Sequence, residues 1–401
     1  MKLLNQQLIK DSNLKRVYNF VYQNPGISRA ALAKQTSLSK TTVSALVDEL
    51  IEQGYLQDLG VSDDTTVPGR KPNALKPLAG SYYTIVLLWG EYYIEAHLTD
   101  ITGSSTPFIR REARDPWSYI STSRECVDTI ISRNGLKKWQ ILGICIVVPA
   151  MIDMEAEKIY STSLHFMKYE NFGFVEELQK AFPDFKTLLL NDTACQAYAE
   201  KTCTGLKEPD FAFINFDRGI GATLFIHNEM LGHASASYTQ FGHYSVCPDG
   251  PLCECGNRGC LELVISEEAL SQQYREEKGS SKGRYPITYK DLGYAAAIGD
   301  ETAKKVLERA AKTFAHALGN LICLVHPKLI ILGGKGRDLG DYFLEETVRQ
   351  LGQTGFRHMV ETVSLRYSLL DGGACFVGAM KYFFDTHFSF GDTSDTGFYL
   401  G

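Results

Sequence analysis

The pattern of apolar and polar positions divides the chain into a short helical head and a long body in which strands alternate with helices. In the head, Leu14, Val17, Phe20 and Val21 recur at helical spacing and predict a helix over 13–24. Pro25-Gly26 stops it. Ser28 is placed to cap a short helix over 29–35 that turns Ala31 and Leu32 inward. Thr36-Ser37-Leu38 reads as a tight turn, and Ser39 as the cap of a further helix reaching about Gln53, with Val43, Leu46, Val47 and Leu50 as its buried stripe. Gly54 ends that helix, and 55–59 reads as a strand. From Tyr82 the period changes to apolar strands at 83–88, 93–98, 141–148, 187–190 and 329–332, helices at 172–181, 193–201 and 303–325, and a hairpin of 211–216 with 223–227 around Gly219–Gly221. Such an order predicts an α/β body of two layered lobes with a cleft between them.

A helix, a three-residue turn and a second capped helix form the geometry that sets a helix N-terminus in a DNA major groove. Ser39, Lys40, Thr41, Thr42 and Ser44 lie off the buried stripe on the first turns, where they can meet phosphates or base edges; the plainer reading is a solvated polar face. Charge changes this picture a little. The net charge of −6 argues against a nucleic-acid binder on average, yet residues 1–80 hold ten Lys/Arg and seven Asp/Glu, leaving 31 basic and 40 acidic residues for the rest. A mildly basic head on an acidic body suits local DNA contacts. Beyond the strand, Arg70 and Lys71 stand between Pro68-Gly69 and Pro72, able to reach a minor groove or to serve as a plain linker.

Nothing in the chain reaches the roughly 18 apolar residues of a membrane span, and the first sixteen residues lack an apolar signal-peptide core, so a cytoplasmic protein without a membrane partner is expected. In that reducing compartment the ten cysteines point to metal rather than disulfides. His243, Cys253, Cys255 and Cys260 make a closed Cys3His set suited to structural Zn2+, with Gly256 and Gly259 permitting the turns between them. Cys247 is the competing ligand.

These four residues with Glu262 closely resemble the zinc signature of the ROK family (repressors, open reading frames and sugar kinases). The resemblance extends through Pro149–Asp153, Asn191-Asp192, Gly219-Ile220-Gly221 and Leu332-Gly333-Gly334, and the head resembles that of the repressor branch. It implies a winged helix-turn-helix over 1–62 and a linker or wing over 63–79. It further implies a two-lobed actin-like/hexokinase-like (ribonuclease H-like) ATPase fold with a structural zinc loop. The first lobe would span 80–192, completed by a helix at about 373–387, and the second 193–372; 388–401 receives no structure. The resemblance also implies a sugar site between the lobes. There Asn191, Asp192 and Glu262 would meet sugar hydroxyls, and His243 would give one ring nitrogen to zinc and the other to the sugar. Asn191-Asp192 also reads as a helix cap. Gln240 stands where sugar-binding members usually carry Glu, and an amide donates as well as accepts.

The kinase half of the resemblance is damaged. The first phosphate loop, an Asp-x-Gly run in the family, is Leu88-Trp89-Gly90 here, with Leu88 in the carboxylate position and a bulky Trp89 after it, and Asp217 opens the second glycine loop where its negative charge would repel a triphosphate. The expectation is therefore a DNA-binding repressor of carbohydrate genes, without kinase activity. Its partners would be a double-stranded operator and a sugar or sugar derivative, and it would act as a homodimer or homotetramer because paired heads read two half-sites. The alternatives are an ATP-dependent sugar kinase with an appended DNA-binding domain, and a repressor governed by a protein partner.

Overall fold

The computed structural model describes residues 2–61, 73–153, 155–169, 171–217, 219–232, 239–279, 287–390 and 397–400. The head comprises α1 (Lys2–Gln23), α2 (Arg29–Thr36), α3 (Lys40–Glu52), β1 (Leu56–Val61) and β2 (Asn73–Pro77). Ser28 Oγ accepts from the Ala31 N–H and Ser39 Oγ from the Thr42 N–H, so both helices start at side-chain caps. Val17, Val21, Leu32, Val43, Val47 and Leu50 are fully buried between the three helices. The strands β1 and β2 pair antiparallel, Leu56 opposite Pro77 and Asp58 opposite Leu75. Residues 73–77, grouped above with the linker, thus form the second strand of the wing. Helix α1 also begins eleven residues before the expected start at 13, because its early Leu8 and Ile9 are exposed and contribute no inward stripe.

The first lobe contains β3 (Tyr83–Gly90), β4 (Tyr93–Asp100), β5 (Ser105–Glu112), α4 (Pro116–Asn134), β6 (Ile141–Val148), the small hairpin β7 (Met151–Asp153) and β8 (Lys158–Tyr160), α5 (Phe174–Ala181), β9 (Thr187–Asn191) and α6 (Asp192–Cys203). The second contains β10 (Phe211–Phe216), β11 (Ile220–Ile226), β12 (Glu229–Met230), α7 (Leu261–Ile265), α8 (Glu267–Glu277), α9 (Tyr289–Ala297), α10 (Glu301–Val325), β13 (Leu329–Gly334), α11 (Gly340–Leu351), α12 (Arg357–Val360) and β14 (Ser364–Tyr367). The chain then returns to the first lobe with α13 (Ala374–Thr386) and β15 (Phe398–Leu400).

Two mixed sheets result, ordered β15-β9-β6-β3-β4-β5 and β12-β11-β10-β13-β14. Strand alternation assigns the two faces of each sheet. In β3, Ile85, Leu87 and Trp89 pack with Tyr119, Val127 and Ile130 of α4, while Val86 faces Phe376, Met380 and Phe383 of α13. In β10, Ala212, Ile214 and Phe216 meet α10 through Val306, Leu307 and Phe314, while Phe211 and Phe213 meet Ala197 of α6. Helices α6 and α13 therefore lie between the sheets, and α6 belongs to both lobes: Cys195 enters the first-lobe core and Ala197 the second.

The segment after α13 received no structure from the sequence, and part of it is ordered against the head and the first lobe. Phe388 and Phe390 are buried under the head, Phe390 edge-on to Tyr55 at 4.7 Å. Its N–H donates to Asp11 Oδ1 of α1 at 2.6 Å, and β15 adds a parallel edge strand to β9. The aromatic spacing was the unread signal. No helix among the described residues is long and apolar enough to cross a membrane.

Candidate functional site

The head presents the first turn of α3 to solvent. Ser39 Oγ holds the Thr42 N–H at 3.1 Å and lies 2.8 and 2.7 Å from the Thr41 and Thr42 hydroxyls. Lys40, Thr41 and Thr42 are exposed, and Ser44 is half-buried. The aligned N–H groups of this helix end and the Lys40 ammonium form a surface suited to phosphate. Sequence reasoning passed over Arg29. Its guanidinium pairs with Asp48 at 2.6 Å and Asp58 at 3.9 Å and donates to the Ser44 carbonyl at 3.4 Å, fixing α3 against α2 and the wing. Arg70 and Lys71 lie outside the described residues.

In the second lobe, the imidazole of His243 and the sulfurs of Cys253, Cys255 and Cys260 offer four ligand atoms within 4.8 Å of one another. Cys253 Sγ is 3.6 Å from His243 Nδ1, and Cys255 Sγ is 3.7 Å from Cys260 Sγ. A tetrahedral ion with bonds of about 2.3 Å to sulfur and about 2.0 Å to nitrogen separates its ligands by roughly 3.5–3.8 Å, so the donors fit a single metal ion. Burial raises the thiols of Cys253 and Cys260, a cost that a bound cation reverses by favouring thiolate. Cys247 is exposed and stays out of the cluster. Gly259 has a φ of +62°, and a Cβ there would lie 1.6 Å from the Cys247 carbonyl oxygen, so only glycine brings Cys260 beneath the loop.

That cluster backs directly onto the interlobe cleft, a cavity of about 820 Å3 lined by Asn191, Asp192, Asn215, Gln240, His243 and Glu262 among others. All five residues expected at a sugar site thus share one cavity. Asn191 is the N-cap of α6, accepting from the Ala194 N–H and donating to the Ala150 carbonyl, both at 3.0 Å; the capping role is real. Asp192 follows at the mouth of the helix, where burial first and the Asp217 charge second push its carboxyl up to about 7. Glu262 Oε2 accepts from the Ile220 N–H at 3.0 Å and so holds the Gly219–Gly221 loop. Asn215, not singled out from sequence, is buried with an Oδ1 that has no partner.

At the other end of the cleft stands the turn after β3. A Cβ on Gly90 would lie 2.1 Å from the Tyr93 ring, so that ring fills the space beside the glycine. The Arg110 guanidinium lies over the ring, 3.6 Å from its centroid.

Residues 91–384 match the ROK family, and residues 10–57 match a winged helix-turn-helix DNA-binding family. The chain belongs to the ROK family. The xylose repressor of Bacillus subtilis (strain 168) is 26% identical over 337 residues, covering 83% of this chain and 84% of the repressor. The DNA-binding transcriptional dual regulator NagC of Escherichia coli (strain K12) is 24% identical over 341 residues, 82% of each. Among solved structures, a ROK family transcriptional regulator, a homolog of the E. coli MLC protein, gives a TM-score of 0.75 at 21% identity, covering 94% of this chain and 97% of that one. A ROK family glucokinase from Streptomyces griseus in complex with glucose and AMPPNP gives 0.62 at 21% identity, with 98% of it matched by 75% of this chain. Those likenesses show the fold: a ROK body preceded by a winged head.

Within the ROK fold the two expected obstructions to nucleotide sit differently from the sequence reading. Trp89 is not in the way; strand alternation turns it into the core, where it is fully buried and donates from Nε1 to Ser123 Oγ at 3.0 Å. The ring that covers the turn after β3 is Tyr93, two residues past Glu91. Asp217 is not a bare charge either, because Lys335 pairs with it at 3.5 Å. Tyr93, Arg110 and Lys335 carry no local motif, and only the fold brings them to one cleft end.

Proposed function

We propose that this ROK protein is a transcriptional repressor that binds a double-stranded operator through α3 and the β1–β2 wing, and that a sugar in the interlobe cleft is its effector. The observation that carries the reading is the capped, exposed first turn of α3 on a wing-bearing head that is packed onto a body with an open, polar cleft. The naming of its relatives as xylose repressor and NagC supports a small carbohydrate as ligand. Lys40, Thr41, Thr42, Ser39 and Ser44 serve the operator, with Arg70 and Lys71 as further contacts to it. Asp192 and Glu262 accept from sugar hydroxyls; Asn191 and Gln240 complete the polar lining, and the ring nitrogen of His243 not turned toward Cys253 faces the ligand. Zinc, held by His243, Cys253, Cys255 and Cys260, supplies structure and no chemistry, since four protein donors leave no open position. The acting species is at least a dimer, because one head reads only one half-site.

We further propose that the kinase reaction is lost. Tyr93 on Gly90 occupies the face that a phosphate would need, and phosphoryl transfer depends on that positioning. Fluorescence anisotropy on a labelled fragment of the chain's own upstream DNA, with and without D-xylose and N-acetylglucosamine, tests the repressor reading. Operator binding that shifts with one sugar supports it. Turnover of ATP with any hexose or pentose overturns the loss of kinase activity, and sugar-independent DNA binding overturns the sensing role.

A further inference from the structure

The head is fastened to the body by a buried polar junction centred on Asp385 of α13. Its Oδ1 accepts from Asn19 Nδ2 of α1 at 3.0 Å and pairs with the Lys381 ammonium at 2.8 Å. Lys381 is only 2% exposed and donates also to Asn19 Oδ1 at 2.6 Å. Asp385 Oδ2 accepts from the Tyr198 hydroxyl of α6 at 2.8 Å. Lys15 adds a bond to the Asp385 carbonyl, and Tyr18 donates to the Ile101 carbonyl at 2.6 Å while its ring packs on Phe384. Lys381 is buried, the groups around it are half-buried, and each is partnered, so displacing one leaves the others unpaired at a cost.

The third helix in this junction is the one that begins at the cleft. Asn191 and Asp192 form the N-terminus of α6, and Tyr198 lies about 9 Å further along the same rigid rod. The next residue but one, Glu200, is fully buried, accepts from Ser368 Oγ at 2.6 Å and pairs with Arg366 of β14 at 2.9 Å. Helix α6 is thereby tied to the second lobe as well. Against α13 it packs backbone to backbone: a Cβ on Gly378 would come 1.8 Å from the Cys195 carbonyl oxygen. Contact that close resists gradual sliding, so a shift of one helix on the other would have to be a step between discrete seatings.

We propose that the Tyr198–Asp385–Lys381–Asn19 junction is the coupling through which cleft occupancy reaches the DNA-binding head. This rests on the sensing role proposed above. A sugar on Asp192 shifts the seat of α6, Tyr198 carries the shift to Asp385, and Asn19 carries it into α1. The aromatic packing of Tyr18 holds the head on throughout. The junction therefore sets the head's orientation and shares its attachment with that packing.

The test uses the full chain with Tyr198→Phe, which removes one hydroxyl and keeps the ring, and Asn19→Ala as the second variant. Calorimetry gives the affinity for D-xylose and N-acetylglucosamine, and anisotropy gives operator affinity with and without each. The sugar that works on the unaltered protein is expected to change operator affinity by tenfold or more. In both variants that ratio falls below about threefold, while sugar affinity and sugar-free operator affinity stay within about threefold of the parent. A ratio left intact in both variants overturns the coupling. An unaltered protein that binds a sugar yet keeps one operator affinity overturns it too. If neither sugar binds, the sensing role falls and the transmission with it; the junction itself is then judged by calorimetric melting. Head and body melting together in the parent, with the head released earlier in Asn19→Ala, upholds the junction, and separate melting in the parent removes it.

Discussion

The two glycine turns that line the cleft are occupied in different ways. The turn after β3 is covered by the chain itself: Tyr93 lies on Gly90 and Arg110 lies on Tyr93. The turn between β10 and β11 is occupied from farther away: Glu262 takes the Ile220 N–H, and its Oε2 lies 2.4 Å from where a Cβ on Gly219 would stand. A backbone that presents its N–H groups to a ligand is usable only if nothing nearer occupies them. One turn is therefore covered by an aromatic ring from the adjoining strand and the other bound by a remote carboxylate, so the difference lies in the chemistry of the side chain that occupies each.

The largest effect should come from behind the second turn. Cys255→Ser removes one of the four candidate donors, the last of which, Cys260, precedes Glu262 by two residues. Metal content is expected to fall from one ion per chain towards none, with loss of sugar response, read by plasma mass spectrometry and anisotropy. Full metal retention would show that Glu262 is placed without it. Next, Glu262→Ala frees the Ile220 N–H and removes a charged acceptor, a change of about 1.5–3 kcal/mol. Sugar affinity should drop by roughly ten- to a hundredfold in calorimetry; an unchanged affinity would make the two turns equivalent.

A smaller effect concerns the carboxyl between them. The folded protein holds Asp192 protonated up to about pH 7, whereas the unfolded chain releases that proton near pH 4. Across this window the native state binds more protons, so its stability declines as pH rises and the decline is complete above 7. Asp192→Asn should flatten this part of the Tm-against-pH curve; a slope identical in both proteins would assign it to other groups. The smallest expected effect is that of Tyr93→Ala. Uncovering Gly90 should leave sugar affinity within about twofold while allowing a nucleotide analogue to bind detectably in calorimetry. Binding of that analogue to the unaltered protein at equal strength would dissolve the contrast.

Much of this architecture is written locally. The head is legible because Ser28 and Ser39 cap their helices and Val43, Leu46, Val47 and Leu50 keep strict helical spacing. The metal cluster is legible because its three cysteines fall within eight residues. The rest depends on contacts that have no local trace. Arg110 and Lys335 meet one cleft from different lobes. Trp89 looked like an obstruction because a one-dimensional reading does not say which face of β3 looks inward. Helix α4 was missed although Asp115 and Pro116 mark its start with a capping box. The aromatic residues beyond α13 were passed over because Gly, Ser and Thr around them dilute the pattern, while Phe388 and Phe390 are fixed by partners on α1 and beside β1.

The seat of the first helix also sets an order of events during synthesis. Asn19 leaves the ribosome early, but its acceptor Asp385 follows 366 positions later, and Phe390 later still. A head of three helices and a hairpin can collapse by itself within that interval, yet it must wait undocked, its Tyr18 face wet, until almost the whole body has been translated. Nascent chains stalled before α13 should therefore display a DNA-binding unit released from any control by the cleft.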